Sequence, residues 1–307
     1  MSFISDIITE SWADYSRFLQ DGGDRQKHSP GVRGHLELVH ASQLGYCEIK
    51  SALEQNEVES DFPELEPRNN PNLLWLFENG TRQAEKLQEA MKWKYPRNFI
   101  AEKHYFSIED DLAGNSDGTY TDPYGNKYII ELKDTEGMIH RSVGEPKRGY
   151  VLQTLAYMFL AQAAFGVIVT MSRWKFTIYD MVEEENGWVV YNQGRKYTPI
   201  GEDWNTGITL QDLWEARNVV RAARDAVEDD RHHFDGAAPF DPISGAMAFL
   251  CTRKIYLPTK GGPRSEKKDG LHIANCPWAG RCQALTRNIA TTLEDGVLKI
   301  KGQQNER

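Results

Sequence analysis

The segment "GYVLQTLAYMFLAQAAF", residues 149–165, constrains the fold more than any other stretch of the chain. It is apolar almost throughout and carries no charge, which predicts a strongly apolar helix. Upstream lies a hairpin-like pattern: "KHYFSIED" as one strand, "GNSDGTY" opening a second, "TDPYGNK" supplying turn residues, and "YIIELKD" returning. Downstream, "GVIVTMSRWKFTIYDM" and "GWVVYN" are further strands. Strands followed by a helix and more strands predict an α/β fold, a mixed central sheet flanked by helices.

The flanks add less. Residues 1–35 are polar and Gly-rich around "QDGGDRQKHSPGVRG" and predict a mobile N-terminal arm. "HLELVHASQLGYCEIKSALEQ" predicts a short strand and then a helix, with Ser42 as a cap just ahead of Cys47. A Pro-rich connector, "ESDFPELEPRNNPN", precedes a helix over about 73–93 that Gly80 is expected to interrupt. An amphipathic helix is expected at about 209–233, and a loop-rich remainder follows. The expected organisation is one domain over 36–290, with parts at 36–95, 96–200 and 201–290, and a tail over 291–307. There is no internal repeat and no low-complexity tract.

At 307 residues, with 40% hydrophobic residues and eight Trp, the chain can bury a sizeable core. No apolar run reaches membrane-spanning length, and "MSFISDIITESWADY" lacks a secretion signal, so a cytoplasmic protein that contacts no membrane is expected. A net charge of -9 argues against indiscriminate adhesion to nucleic acid. It leaves room for a nuclease, in which acidic metal ligands coexist with a basic channel. Four cysteines, at 47, 251, 276 and 282, favour free thiols or a metal site over disulfides in a reducing compartment.

In "YIIELKDT", residues 128–135, strand alternation puts Ile129, Glu131 and Lys133 on one face and Ile130 and Leu132 on the other. An isolated Glu-x-Lys is most often a solvated strand face with a weak ion pair. Antiparallel pairing with the preceding strand, however, brings Asp117 of "GNSDG" towards both. Two carboxylates sharing a site repel unless a cation joins them, and oxygen ligands suit Mg²⁺ or Mn²⁺. Gln153 and Tyr157 stand at i and i+4 and share one face of the apolar helix.

In this order and spacing, "GNSDG", "ELK" and "QTLAY" resemble the RecB-like branch of the PD-(D/E)XK nuclease superfamily. The resemblance implies a restriction-endonuclease-like fold in which Asp117 and Glu131 bind Mg²⁺ or Mn²⁺. Lys133 would be catalytic, and Gln153 and Tyr157 would support the active site and the DNA. Members often carry a His on the preceding helix, four residues after a Gly. Here "GTRQAEK" puts Ala84 in that place with Glu85 beside it, so the third protein ligand stays open.

One cysteine before the catalytic core and three after it resembles the CRISPR-associated RecB-like exonucleases and the AddB-type nuclease domains. That likeness implies a [4Fe-4S] cluster held by Cys47, Cys251, Cys276 and Cys282, joining the two ends of the domain. "CPWAGRC" has the C-x5-C of that pattern, whereas Cys251 lies farther upstream than its C-x2-C. Zinc on the same thiolates and unrelated buried cysteines remain alternatives. Two segments are candidates for DNA contact or for ordinary solvated loops. One holds Lys260, Arg264, Lys267 and Lys268; the other holds Arg173 and Lys175 around Trp174.

The resemblance therefore implies a metal-dependent deoxyribonuclease, an exonuclease preferring single strands or ends, in recombination, repair or phage DNA processing. Two rivals stand beside it. One is a non-cleaving DNA-binding subunit of a recombination or CRISPR adaptation complex, and the other is a zinc-stabilised endonuclease. A homo-oligomer is compatible with each.

Overall fold

The computed structural model describes residues 3–23, 37–44, 71–134, 146–171, 176–197 and 207–229. Cys47, Cys251, Cys276 and Cys282 lie outside them, as do Arg173, Lys175, Lys260, Arg264, Lys267 and Lys268. The chain divides into two compact units, where the sequence predicts one domain. Met1–Leu44 with Trp75–Ala216 forms the first, and Gly45–Leu74 with Arg217–Arg307 the second. The first holds the sheet and the candidate site.

Its elements are α1 (Phe3–Gln20), β1 (Val39–His40), a 3-10 turn (Ala41–Gln43), α2 (Pro71–Lys94), β2 (Phe99–Ser107), β3 (Leu112–Thr121) and β4 (Lys127–Asp134). Then come α3 (Arg148–Ala161), β5 (Phe165–Met171), β6 (Phe176–Glu184), β7 (Gly187–Asn192), β8 (Arg195–Lys196) and α4 (Leu210–Asp229); residues 71–74 of α2 and 217–229 of α4 are assigned to the second unit. The strands form one mixed sheet in the order β1-β3-β4-β5-β6-β7-β8, with β2 also on β3. The expected mixed α/β architecture with flanking helices is observed. Among the described residues no helix is long and apolar enough to cross a membrane.

Alternation along β4 determines which layer each residue meets. Tyr128, Ile130 and Leu132 join Val167, Val169 and Met171 of β5 and Leu87 and Met91 of α2 in an apolar cluster. Ile4, Ile7 and Ile8 of α1 complete it. Ile129, Glu131 and Lys133 point the other way. α3 crosses over between the parallel strands β4 and β5 and packs against β3, β4 and β5. A parallel pair needs such a crossover.

Three sequence expectations are corrected. Residues 3–20 are helix α1 and no mobile arm: Ile4, Ile7, Ile8, Ser11 and Tyr15 are buried at helical spacing, and Ser5 Oγ donates to Asp180 Oδ1 at 3.2 Å. Polar, Gly-rich composition averaged over 35 residues hid that stripe. Gly80 does not interrupt α2, which runs unbroken from Pro71 to Lys94. A helical Gly costs about 1 kcal/mol, which the burial of Leu87, Ala90 and Met91 outweighs. Ser42 lies inside the 3-10 turn, whose start is tied by the His40 N–H donating to Gln43 Oε1 at 2.8 Å.

Candidate active site at the fork of the third strand

Strand β3 is paired along one edge by β2, from Phe99 opposite Tyr120 to Ser107 opposite Leu112. Its other edge is shared. β4 pairs with its 118–121 end, the last rung being Gly118 opposite Ile130, while β1 pairs with Leu112 and Ala113. Beyond Gly118 the strands separate, and the next residues in register would be Asp117 and Glu131. The sheet forks where the two carboxylates stand. At the fork the Leu132 N–H, which in a continuing ladder would meet a strand carbonyl, donates to Asp117 Oδ2 at 2.6 Å.

Glu131 is only 1% exposed, and its Oε1 lies 2.5 Å from Lys133 Nζ. The pair is not an ordinary solvated one: Glu131 is buried and Lys133 partly so. Lys133 Nζ also donates to Gln153 Oε1 at 2.9 Å and sits 5.2 Å from the centre of the Tyr150 ring. Gln153 Nε2 in turn donates to the Tyr157 hydroxyl at 3.1 Å. The i, i+4 pair on α3 thus reaches the strand lysine by a continuous chain of bonds. Tyr157 approaches β3 closely because Gly114 leaves room, since a Cβ there would come within 2.7 Å of Tyr157 Cε1.

Glu131 Oε2 is buried with no hydrogen-bond partner among the described residues. A buried carboxylate oxygen in that state costs free energy unless a proton or a cation meets it. Burial pushes the Asp117 carboxyl well above the usual range, and the Glu131 charge pushes it further, against the pull of Lys133 and the Leu132 N–H. Burial also raises Glu131, with Lys133 opposing. Tyr157 is raised well above an ordinary phenol by burial and by the Glu131 charge.

Among the described residues no three His, Cys, Asp or Glu side chains are grouped closely enough to hold an ion unaided. Two carboxylates with water completing the coordination is the usual arrangement for Mg²⁺, which dehydrates reluctantly. The unpartnered oxygen, the neighbouring second carboxylate and the all-oxygen donor set fit such an ion.

Sequence reasoning looked for a third ligand at Ala84 or Glu85. Ala84 instead packs against the apolar cluster. One turn further along α2, Gln88 donates through Nε2 to the Asp117 carbonyl at 2.8 Å and to Glu102 Oε1 at 2.9 Å. Glu102 is the third carboxylate whose charge is felt at both Asp117 and Glu131. Neither residue was singled out from sequence, nor was Tyr150. The available signal was the i, i+4 relation of Ala84 to Gln88, which puts a buried amide on the helix face under suspicion.

No protein-family model matches the chain, and no curated protein matches it. Among solved structures, the crystal structure of SSO0001 superposes with a TM-score of 0.36 at 10% identity, over 78% of this chain and 96% of that one. A likeness that weak speaks to neither fold family nor chemistry.

Proposed function

We propose that the chain is a metal-dependent deoxyribonuclease of the PD-(D/E)XK type, acting on DNA ends or single strands. The observation that carries this reading is the unpartnered Glu131 Oε2, buried across the fork from Asp117 and beside Lys133. An ordinary ion pair has no need of a second carboxylate beside it, whose pKa the Glu131 charge raises. The cluster in "GNSDG", "ELK" and "QTLAY" order supports the assignment to the RecB-like branch.

Asp117 and Glu131 would hold Mg²⁺ or Mn²⁺. Bound there, the ion would polarise the phosphodiester and lower the pKa of a coordinated water. Lys133 keeps its ammonium beside the reacting phosphate and offsets charge that builds up on it. Gln153 fixes the lysine through its carbonyl oxygen, and Tyr157 fixes Gln153 in turn. α3 and the apolar residues around it keep bulk water from that chain of bonds. The same reading carries with it the cysteine-bound [4Fe-4S] cluster, with zinc as its competitor; iron, sulfide and zinc analysis of anaerobically purified protein decides between them.

The test is a gel assay on end-labelled single- and double-stranded DNA with Mg²⁺ or Mn²⁺, comparing wild type with Lys133→Ala. Turnover should fall by roughly 10² to 10⁴. Equal cleavage by both proteins would assign the activity elsewhere. DNA binding without cleavage by the wild type would favour the non-cleaving subunit.

A further inference from the structure

Glu102 stands out on two independent grounds. It sits within strand β2 at φ 52, in the left-handed region that a non-glycine residue adopts in a strand only when its surroundings impose it. It also interrupts the β2–β3 ladder: Ala101 pairs with Gly118 and Lys103 with Ser116, while Glu102 falls across from Asp117. The distorted backbone therefore lies directly beside the metal-binding candidate.

The Gln88 carboxamide holds the side chain of Glu102. Gln88 is 3% exposed, and its one amide nitrogen bridges the Glu102 carboxylate and the Asp117 main chain. A helix residue thereby fixes the spacing between Glu102 and the strand bearing Asp117. A carboxylate added next to two others is unfavourable by itself, and the Glu102 charge acts on both Asp117 and Glu131 in the destabilising direction. Strain and repulsion gathered at one point mark a residue kept for binding a cation. The unpartnered Glu131 Oε2 is the separate indication that a cation is what the cluster awaits.

We infer that Glu102 is an outer carboxylate of the cation site, accepting hydrogen bonds from water bound to the ion, and that Gln88 is the residue that positions it. Direct ligation is not required, in keeping with the two-carboxylate inner set and with the water shell that Mg²⁺ and Mn²⁺ retain. The consequence is an added negative charge at a fixed place, which raises divalent-ion affinity and orients the bound water. This inference rests on the cation site proposed above but not on DNA being the substrate.

The experiment measures Mn²⁺ binding by full-length protein without DNA, from the loss of the free-ion electron paramagnetic resonance signal, with cleavage assayed separately. Glu102→Gln is isosteric and can still accept the Gln88 hydrogen bond, so the fold is kept. Its Mn²⁺ affinity should fall by about 10- to 100-fold, the range for outer-shell partners. Gln88→Leu retains the charge but frees its position, and it should also weaken binding, by less; a metal-free melt checks that this variant is folded. Wild-type affinity in Glu102→Gln overturns the inference, and wild-type affinity in Gln88→Leu overturns the positioning role. If wild type binds Mn²⁺ but cleaves no DNA, the nuclease reading fails and the inference stands. If wild type binds no Mn²⁺, both fail.

Discussion

Among the described residues, two of the lysine–carboxylate clusters behave in opposite ways. Between α1 and α2, Lys94 Nζ lies 2.7 Å from Asp14 Oδ2 and 3.1 Å from Glu10 Oε2. Asp14 is held below the usual carboxylate range by its hydrogen bonds from Lys94 and Arg17. Lys94 is raised, its bonds to Asp14 and Glu10 outweighing a burial effect of opposite sign. Between β4 and α3, Lys133 meets a carboxylate that is raised despite it, because burial wins. In the first cluster the carboxylates are at least partly exposed, and it fastens; in the second Glu131 is 1% exposed and its Oε2 has no hydrogen-bond partner among the described residues. Geometry alone would class both as salt bridges. Burial and the count of satisfied oxygens separate them.

The sharpest way to break this contrast is Asp117→Asn. It should abolish metal-supported cleavage, because one of the two proposed ion ligands loses its charge, and it should make the metal-free protein more stable. Folded-state pKa values raised above the unfolded value near 4 mean that the native state holds those protons more tightly. Their contribution is therefore fully present below about pH 4 and lost as pH rises through the raised values. Melts in chelator should show Asp117→Asn above wild type at about pH 8, the gap closing towards about pH 4. Asp14 runs the other way: its lowered value gives stability that is present above the unfolded pKa and lost as pH falls through the folded one. A variant no more stable than wild type at the higher pH would mean that the buried carboxylates are already satisfied.

Next in size is Ile8→Ala. Ile8 is fully buried in the apolar cluster beneath α1, and truncation should cost about 2–5 kcal/mol in denaturant melts, whatever the salt concentration. An effect below that range would restore the mobile-arm expectation. Gly114→Ala should cost about 1–3 kcal/mol through overpacking against Tyr157, and it should lower turnover along with stability, since Tyr157 holds Gln153. Loss of stability with turnover intact would detach the Tyr157–Gln153–Lys133 chain from catalysis. Smallest is Lys94→Ala, expected to give a slight drop in melting temperature that vanishes at high salt. A large, salt-independent loss would make the α1–α2 cluster resemble the buried one.

Legibility in the sequence followed the range of the interactions. Asp117, Glu131 and Lys133 could be assembled from strand alternation and hairpin pairing, and Gln153 with Tyr157 from helical spacing, because both rules are local. The mixed sheet with flanking helices followed from the order of apolar segments. Helix α1 escaped because its isoleucine stripe is diluted by the Gly-rich stretch behind it. Gln88 and Glu102 escaped because their meeting depends on how α2 lies against β2, which no local period encodes. The positive φ of Glu102 is not a preference of its residue type, and so the sequence does not announce it.

The hydrogen bond from Ser5 to Asp180 spans 175 positions, and this separation has a meaning in time. At roughly 5–20 residues per second, a ribosome takes on the order of 9 to 35 seconds to pass from one to the other. For most of that interval the isoleucines of the first helix can meet only the part of their cluster that α2 and the strands through β4 supply, because Val167, Val169 and Met171 are made near its end. The earliest part of the first unit to be synthesised is thus among the last to find its seat. A nascent chain halted before β5 should expose those isoleucines to chaperones, and one carried past β6 should hide them.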